Sequence, residues 1–231
     1  MSTTTPQGFR AAGVVAGLKS SGSQDVAVIV NDGPLAAAAG VFTRNRVKAA
    51  PVLWSQQVLK AGAVRAVVLN SGGANACTGP DGFLDTHRTA EHLASLLEVG
   101  PGEVAVCSTG LIGIPLPIER ILAGIAPLAA QRSPEGGALA AEAIRTTDTH
   151  RKETIQAVGD TDAVVGGMAK GAAMLAPNMA TMLAVLTTDA DRTVGGVFWP
   201  KILAIFTAFL VRLASYRQTM FRHVRADQGR R

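Results

Sequence analysis

Five short valine-rich runs, each closed by glycine or a small polar residue, constrain this chain more than any other feature. They are DVAVIVND (25–32), RAVVLNS (65–71), EVAVCS (103–108), DAVVGGMAKG (162–171) and MLAVLTTDA (182–190). Runs of this length and composition read as buried strands. Between them lie helical patterns. In 81–98, Phe83, Ala90, Leu93, Ala94 and Leu97 share a face, with Asp85, Arg88, Glu91 and Glu98 largely opposite. In 117–131, Ile118, Ile121, Leu122, Ile125, Leu128 and Ala129 recur at three and four, with Pro117 placed for a first turn. A short third helix is expected over 138–145. Buried strands among amphipathic helices predict an α/β layered domain, and 231 residues suffice for a sizeable core. Which strands pair stays open at this level.

The formal net charge of +5 is unevenly spread. Residues 192–231 carry eight Lys/Arg and one acid, Asp227, which leaves fourteen basic against sixteen acidic residues in 1–191. The basic character belongs to the tail, so a nucleic-acid-binding role for the whole chain loses its main support. Six of the ten aromatics (Phe198, Trp199, Phe206, Phe209, Tyr216, Phe221) sit in that tail too. Its apolar stretch ILAIFTAFLV (202–211) falls short of the ~20 residues that a bilayer span needs. An interfacial helix over 197–225 is the membrane alternative. Met1 to Gln24 lacks a sustained apolar stretch, so no secretory signal is expected. Cys77 and Cys107 fit no metal spacing and no disulfide framework, which makes a reducing, cytoplasmic setting the default.

Two glycine-rich turns follow strands. NSGGANACTG (70–79) could offer backbone N–H groups to an anion, but it matches neither the dinucleotide fingerprint nor a P-loop. CSTGLIG (107–113) could aim amides or a hydroxyl at a developing oxyanion, although a plain strand-to-helix turn explains it as simply. His87, His92, His150 and His223 form no zinc spacing, and no G-x-S-x-G elbow is present. Cys107, inside an apolar run, reads as a small hydrophobe rather than a nucleophile. No metal site is expected.

Thr181 offers chemistry that needs no histidine. Cleavage of the Ala180–Thr181 bond would free its α-amine, whose ordinary pKa is about 7.7 to 8.0. That amine can take the proton from the threonine's own Oγ, making one residue both base and nucleophile. Threonine is also common where strands begin, so position alone does not settle the matter.

Several stretches together resemble one family. GVFTRNRVKAAPV (40–52), NSGGANACTG, CSTGLIGIPLP (107–117), TTDT (146–149) and MAKGAAMLAPNMATMLAVLTTDA (168–190) are similar to the ornithine acetyltransferase, or glutamate N-acetyltransferase, family. The resemblance runs in order over residues 8–190. It implies a sandwich with two β-sheets between helical layers. It divides the chain into an acetyltransferase-like domain, 1–190, and an atypical tail, 191–231. Within the domain, 1–180 would correspond to an α chain and 181–190 to the start of a β chain.

By the same resemblance Thr181 is the nucleophile released by self-cleavage after Ala180, and Thr109 and Gly110 form an oxyanion hole. Thr147, Lys170 and Thr181 contact substrate. Acetyl would pass from N2-acetylornithine, or from acetyl-CoA as co-substrate in bifunctional members, through Thr181 to glutamate. No cofactor is implied, and a heterotetramer of α and β chains is. Gly73 stands where the family usually has Asn, and Ala173 where Gly is usual. Family members also continue well beyond the TTDA strand with further substrate-binding residues. The alternatives are therefore an inactive member lacking its C-terminal part, with a membrane-surface or disordered tail, and an N-terminal-nucleophile aminopeptidase.

Overall fold

The valine-rich runs pair into two sheets. The computed structural model describes residues 3–171 and 181–190. The first sheet has four strands in the order β1 (Phe9–Val14), β2 (Val26–Asn31), β3 (Ala66–Gly73) and β4 (Val104–Leu111). β1–β2 and β2–β3 are antiparallel, while β3–β4 is parallel. A parallel neighbour requires a crossover, and helix α2 (Gly79–Leu97) supplies it. The second sheet is antiparallel, with β6 (Val164–Lys170) between β5 (Lys152–Ala157) and β7 (Leu183–Thr188).

Strand alternation sends the two sets of apolar residues of the first sheet in opposite directions. Val26, Val28, Val30, Ala66, Val68, Val104 and Val106 meet α1 (Ala50–Val58), α2 and α3 (Ile118–Gln131) in one core. Ala27, Ile29 and Leu69 pack the other way, against α4 (Gly137–Ala143) and Met168 of β6. The α/β fold and its two sheets are as expected. The described residues include no helix on the far side of the second sheet.

All five expected strands and three expected helices form, with ends shifted by a few residues. Phe83 is a correction: it is 37% exposed, and the buried face of α2 is completed instead by Gly82, Thr86 and Thr89. The two threonines turn their hydroxyls back onto the helix, Thr86 Oγ1 donating to Gly82 O and Thr89 Oγ1 to Asp85 O, so their methyls can line the core.

Helix α1 is tied to β4 through side chains. Trp54 Nε1 donates to Val104 O at 2.9 Å, and Ser55 Oγ both donates to Val106 O (2.7 Å) and accepts from Val106 N (2.9 Å). These bonds fix the strand that carries Thr109 and Gly110.

The expected tail (191–231), with His223, lies outside the described residues, as do Ala173 and Ala180. Among the described residues no helix is long and apolar enough to cross a membrane, and no cluster of His, Cys, Asp or Glu could hold a metal ion.

Candidate active site

The two glycine-rich turns lie side by side because β3 and β4 are parallel and end together. Asn70 is in register with Ser108, Ser71 with Thr109 and Gly72 with Gly110, with an irregularity at Gly72/Gly73. Side chains support that irregularity: Ser108 Oγ donates to Asn70 Oδ1, and Asn70 Nδ2 donates to Gly73 O. Gly72 and Gly110 have φ of 115° and 135°, and a Cβ on Gly110 would lie 2.4 Å from Gly72 C. The strand ends therefore interlock at backbone distance, which only glycine permits.

Lys170 ends β6 and points from the second sheet toward this junction. It is 2% exposed, and its Nζ donates to Thr109 Oγ1 at 3.1 Å and to Thr181 O at 3.3 Å. An ammonium has only donors, so the Thr109 oxygen must accept, and its own O–H is left to donate elsewhere. Burial lowers the Lys170 pKa from its ordinary value, while Asp148 opposes that fall and Lys152 adds to it.

The structure thus brings Thr109 to Lys170 and Thr181 across some sixty residues of chain, with Gly110 beside Thr109. Thr181 is half-buried, and the atom that meets Lys170 is its carbonyl oxygen, not its hydroxyl. Thr147 is exposed, one residue from the buried Asp148.

Asp148, Lys152 and Gly171 were not singled out by the sequence reading. Asp148 Oδ1 accepts from Gly171 N (2.9 Å) and pairs with Lys152 Nζ, which also donates to Gly171 O (3.1 Å). Burial would raise the Asp148 pKa, but the Lys152 and Gly171 hydrogen bonds and the nearby cations outweigh it and hold it below the ordinary value. Residue type and spacing gave no signal for these three residues beyond the place of Asp148 inside TTDT.

Burial pushes the Cys107 thiol up to about 12, which leaves it protonated and a poor nucleophile. His87 stacks edge-on with Trp54 (4.2 Å) and Phe83 (5.2 Å).

The model of the ArgJ family matches residues 10–201. The chain belongs to the ArgJ family. It is 64% identical over 192 residues to the arginine biosynthesis bifunctional protein ArgJ of Streptomyces coelicolor, covering 83% of this chain and 49% of that protein. The chain thus spans about half the length of the curated ArgJ relatives it matches. Among solved structures, ornithine acetyltransferase of Mycobacterium tuberculosis complexed with ornithine is 57% identical with a TM-score of 0.74. That match covers 79% of this chain and 96% of the other. The arginine biosynthesis bifunctional protein argJ of Bacillus halodurans is 30% identical with a TM-score of 0.62, covering 84% of this chain and 93% of that one.

Proposed function

We propose that this chain carries the nucleophile and oxyanion hole of a glutamate N-acetyltransferase acting in arginine biosynthesis. The observation that carries the reading is the Lys170 ammonium held between Thr109 Oγ1 and Thr181 O, which gathers one small cluster from two separate motifs.

Self-cleavage of the Ala180–Thr181 bond releases the Thr181 α-amine. A length comparison supports this step. The two solved chains are matched over 96% and 93% of their length, whereas the S. coelicolor relative is matched over 49%, as expected if the solved chains are α halves. The amine then takes the Oγ proton, and Oγ attacks the acetyl carbonyl of N2-acetylornithine. The Thr109 O–H and the Gly110 backbone amide stabilise the oxyanion. The amide C–N bond breaks, ornithine leaves with the proton on its amine, and acetyl remains as an ester on Thr181. The glutamate amine attacks that ester and leaves as N-acetylglutamate, with Thr181 Oγ protonated again.

Lys170 suits the substrate's α-carboxylate, since a buried ammonium gains most from an anionic partner, and Thr147 contributes a hydroxyl from the neighbouring turn. Acetyl-CoA is a second acetyl donor in this scheme. The working assembly is a heterotetramer of α and β chains in the cytoplasm, a setting in keeping with the two free cysteines. No cofactor enters the scheme.

The test is the intact mass of the purified chain beside a Thr181→Ala control. Fragments of 1–180 and 181–231, absent in the control, followed by acetylation of Thr181 from N2-acetylornithine, are expected. An uncut chain that takes no acetyl group sinks the proposal for this polypeptide. Acetyl passing to water and not to glutamate would make it an aminopeptidase-type hydrolase.

A further inference from the structure

The Asp148–Lys152 pair is built in an unusual way. Asp148 is 4% exposed, and the pair's two charged ends are both spent on one residue: Asp148 takes the N–H of Gly171 and Lys152 takes its C=O. Buried ion pairs contribute little net stability, because desolvation offsets the attraction. Here, moreover, Asp148 Oδ2 is buried with no hydrogen-bond partner among the described residues. A pair that clamps one peptide unit from both sides while leaving one carboxylate oxygen unpartnered calls for a positional explanation beside any stabilising one.

Gly171 follows Lys170 directly, and its backbone has φ 153°. A Cβ there would lie 3.3 Å from Met182 Cγ, so Gly171 abuts the residue after Thr181. The register agrees: β6 and β7 pair to the very end, Lys170 with Leu183.

We propose that Asp148 and Lys152 are positioning residues that clamp the Gly171 peptide and thereby set both the place and the charge of Lys170 between Thr109 and Thr181. The inference rests on Lys170 being the carboxylate-binding cation of the reading above. The charged groups facing Lys170 are Asp148 and Lys152, with Lys19 contributing a further positive charge from the 15–24 loop. Asp148 raises the Lys170 pKa against the lowering effect of burial, while Lys152 adds to the lowering and ties Asp148 to Gly171.

The pair makes a prediction with opposite signs, which a merely structural role would not produce. The full chain with 13C-labelled lysine is titrated by NMR, following the Lys170 ε-carbon, assigned by its absence in Lys170→Met. Asp148→Asn is expected to lower the Lys170 midpoint, and Lys152→Met to raise it. Asp148→Ala, which removes the acceptor, is expected to speed exchange of the Gly171 amide about tenfold. Midpoints that stay put or move the same way in both variants, or unchanged Gly171 exchange, overturn the proposal. Should an Asp148 variant not fold, Lys152→Met alone decides: a midpoint that does not rise refutes it. The self-cleavage assay is run on the wild type in parallel. A wild type that neither cleaves nor takes acetyl refutes the function while leaving the clamp to stand or fall on the titration.

Discussion

Gly110→Ala should be among the most damaging single-atom changes available in this protein. Gly110 has φ 135°, a region that L-residues hold only at a cost of roughly 1–3 kcal/mol. The added Cβ would also lie 2.4 Å from Gly72 C, 2.6 Å from Gly73 N and 2.8 Å from Gly72 O. These are backbone atoms of the neighbouring strand, fixed by the β3–β4 ladder and by the Asn70–Gly73 bond, so they cannot swing aside as a side-chain end would. Overpacking of this kind adds about 1–3 kcal/mol. The sum, about 2–6 kcal/mol, is a large share of the ~5–15 kcal/mol that holds a typical domain folded.

Gly62→Ala is the natural control. Gly62 also has positive φ (68°), but nothing lies within 4 Å of its added Cβ, so only the left-handed backbone term of about 1–2 kcal/mol applies. Urea unfolding followed by circular dichroism reads the difference. With a slope of ~2 kcal/mol/M, Gly110→Ala should lower the midpoint by about 1–3 M, and Gly62→Ala by less than about 1 M. Equal midpoints in the two variants would refute the interlocked-backbone argument, whatever the fate of activity.

Ser55→Ala should cost about 2–3 kcal/mol, because the Oγ serves both Val106 N and Val106 O and its loss leaves two buried backbone groups unpaired; a urea midpoint equal to that of wild type would contradict this. The folded-state pKa of Asp148 is depressed, so its stabilising contribution is present above the unfolded carboxylate value of about 3.9 and is lost as pH falls through the folded value. The stability gap between wild type and Asp148→Asn should therefore be wide at pH 7 and narrow well below pH 4, and a gap of constant width would count against the pair. Cys77 is exposed while burial pushes the Cys107 thiol up to about 12, so a maleimide at neutral pH should label the folded chain once and the unfolded chain twice. Rapid double labelling of the native chain would contradict the packing around β4.

The strands that sequence reveals are those with continuous apolar, valine-rich runs, whether central like β6 or at an edge like β7. β1 (FRAAGV) and β5 (KETIQA) escaped, the first because alanine and glycine have no strong strand preference, the second because an edge strand holds just one large apolar residue. Helix α1 was hidden by its brevity and by apolar residues that do not segregate cleanly to one side. In the site, resemblance marked Thr109, Gly110, Lys170 and Thr181, and the contact of Lys170 with Thr109 is one that spacing could not supply, because it joins strands of different sheets. Asp148 and Lys152 were invisible for a related reason. Their shared partner is the backbone of Gly171, and a bond to backbone leaves no trace in residue type.

The side chains of α1 on β4 also govern how the molecule can associate. Trp54 and Ser55 occupy the backbone groups through which another strand would dock beside β4, and at the opposite edge of the first sheet Ala11 is bridged to Ser133. Unpaired edges are where chains recruit one another into larger sheets. Among the described residues, both rims of the first sheet are engaged, which leaves strand-by-strand growth to β5 or β7, the two flanks of the smaller sheet, and β7 is the strand that Thr181 leads into.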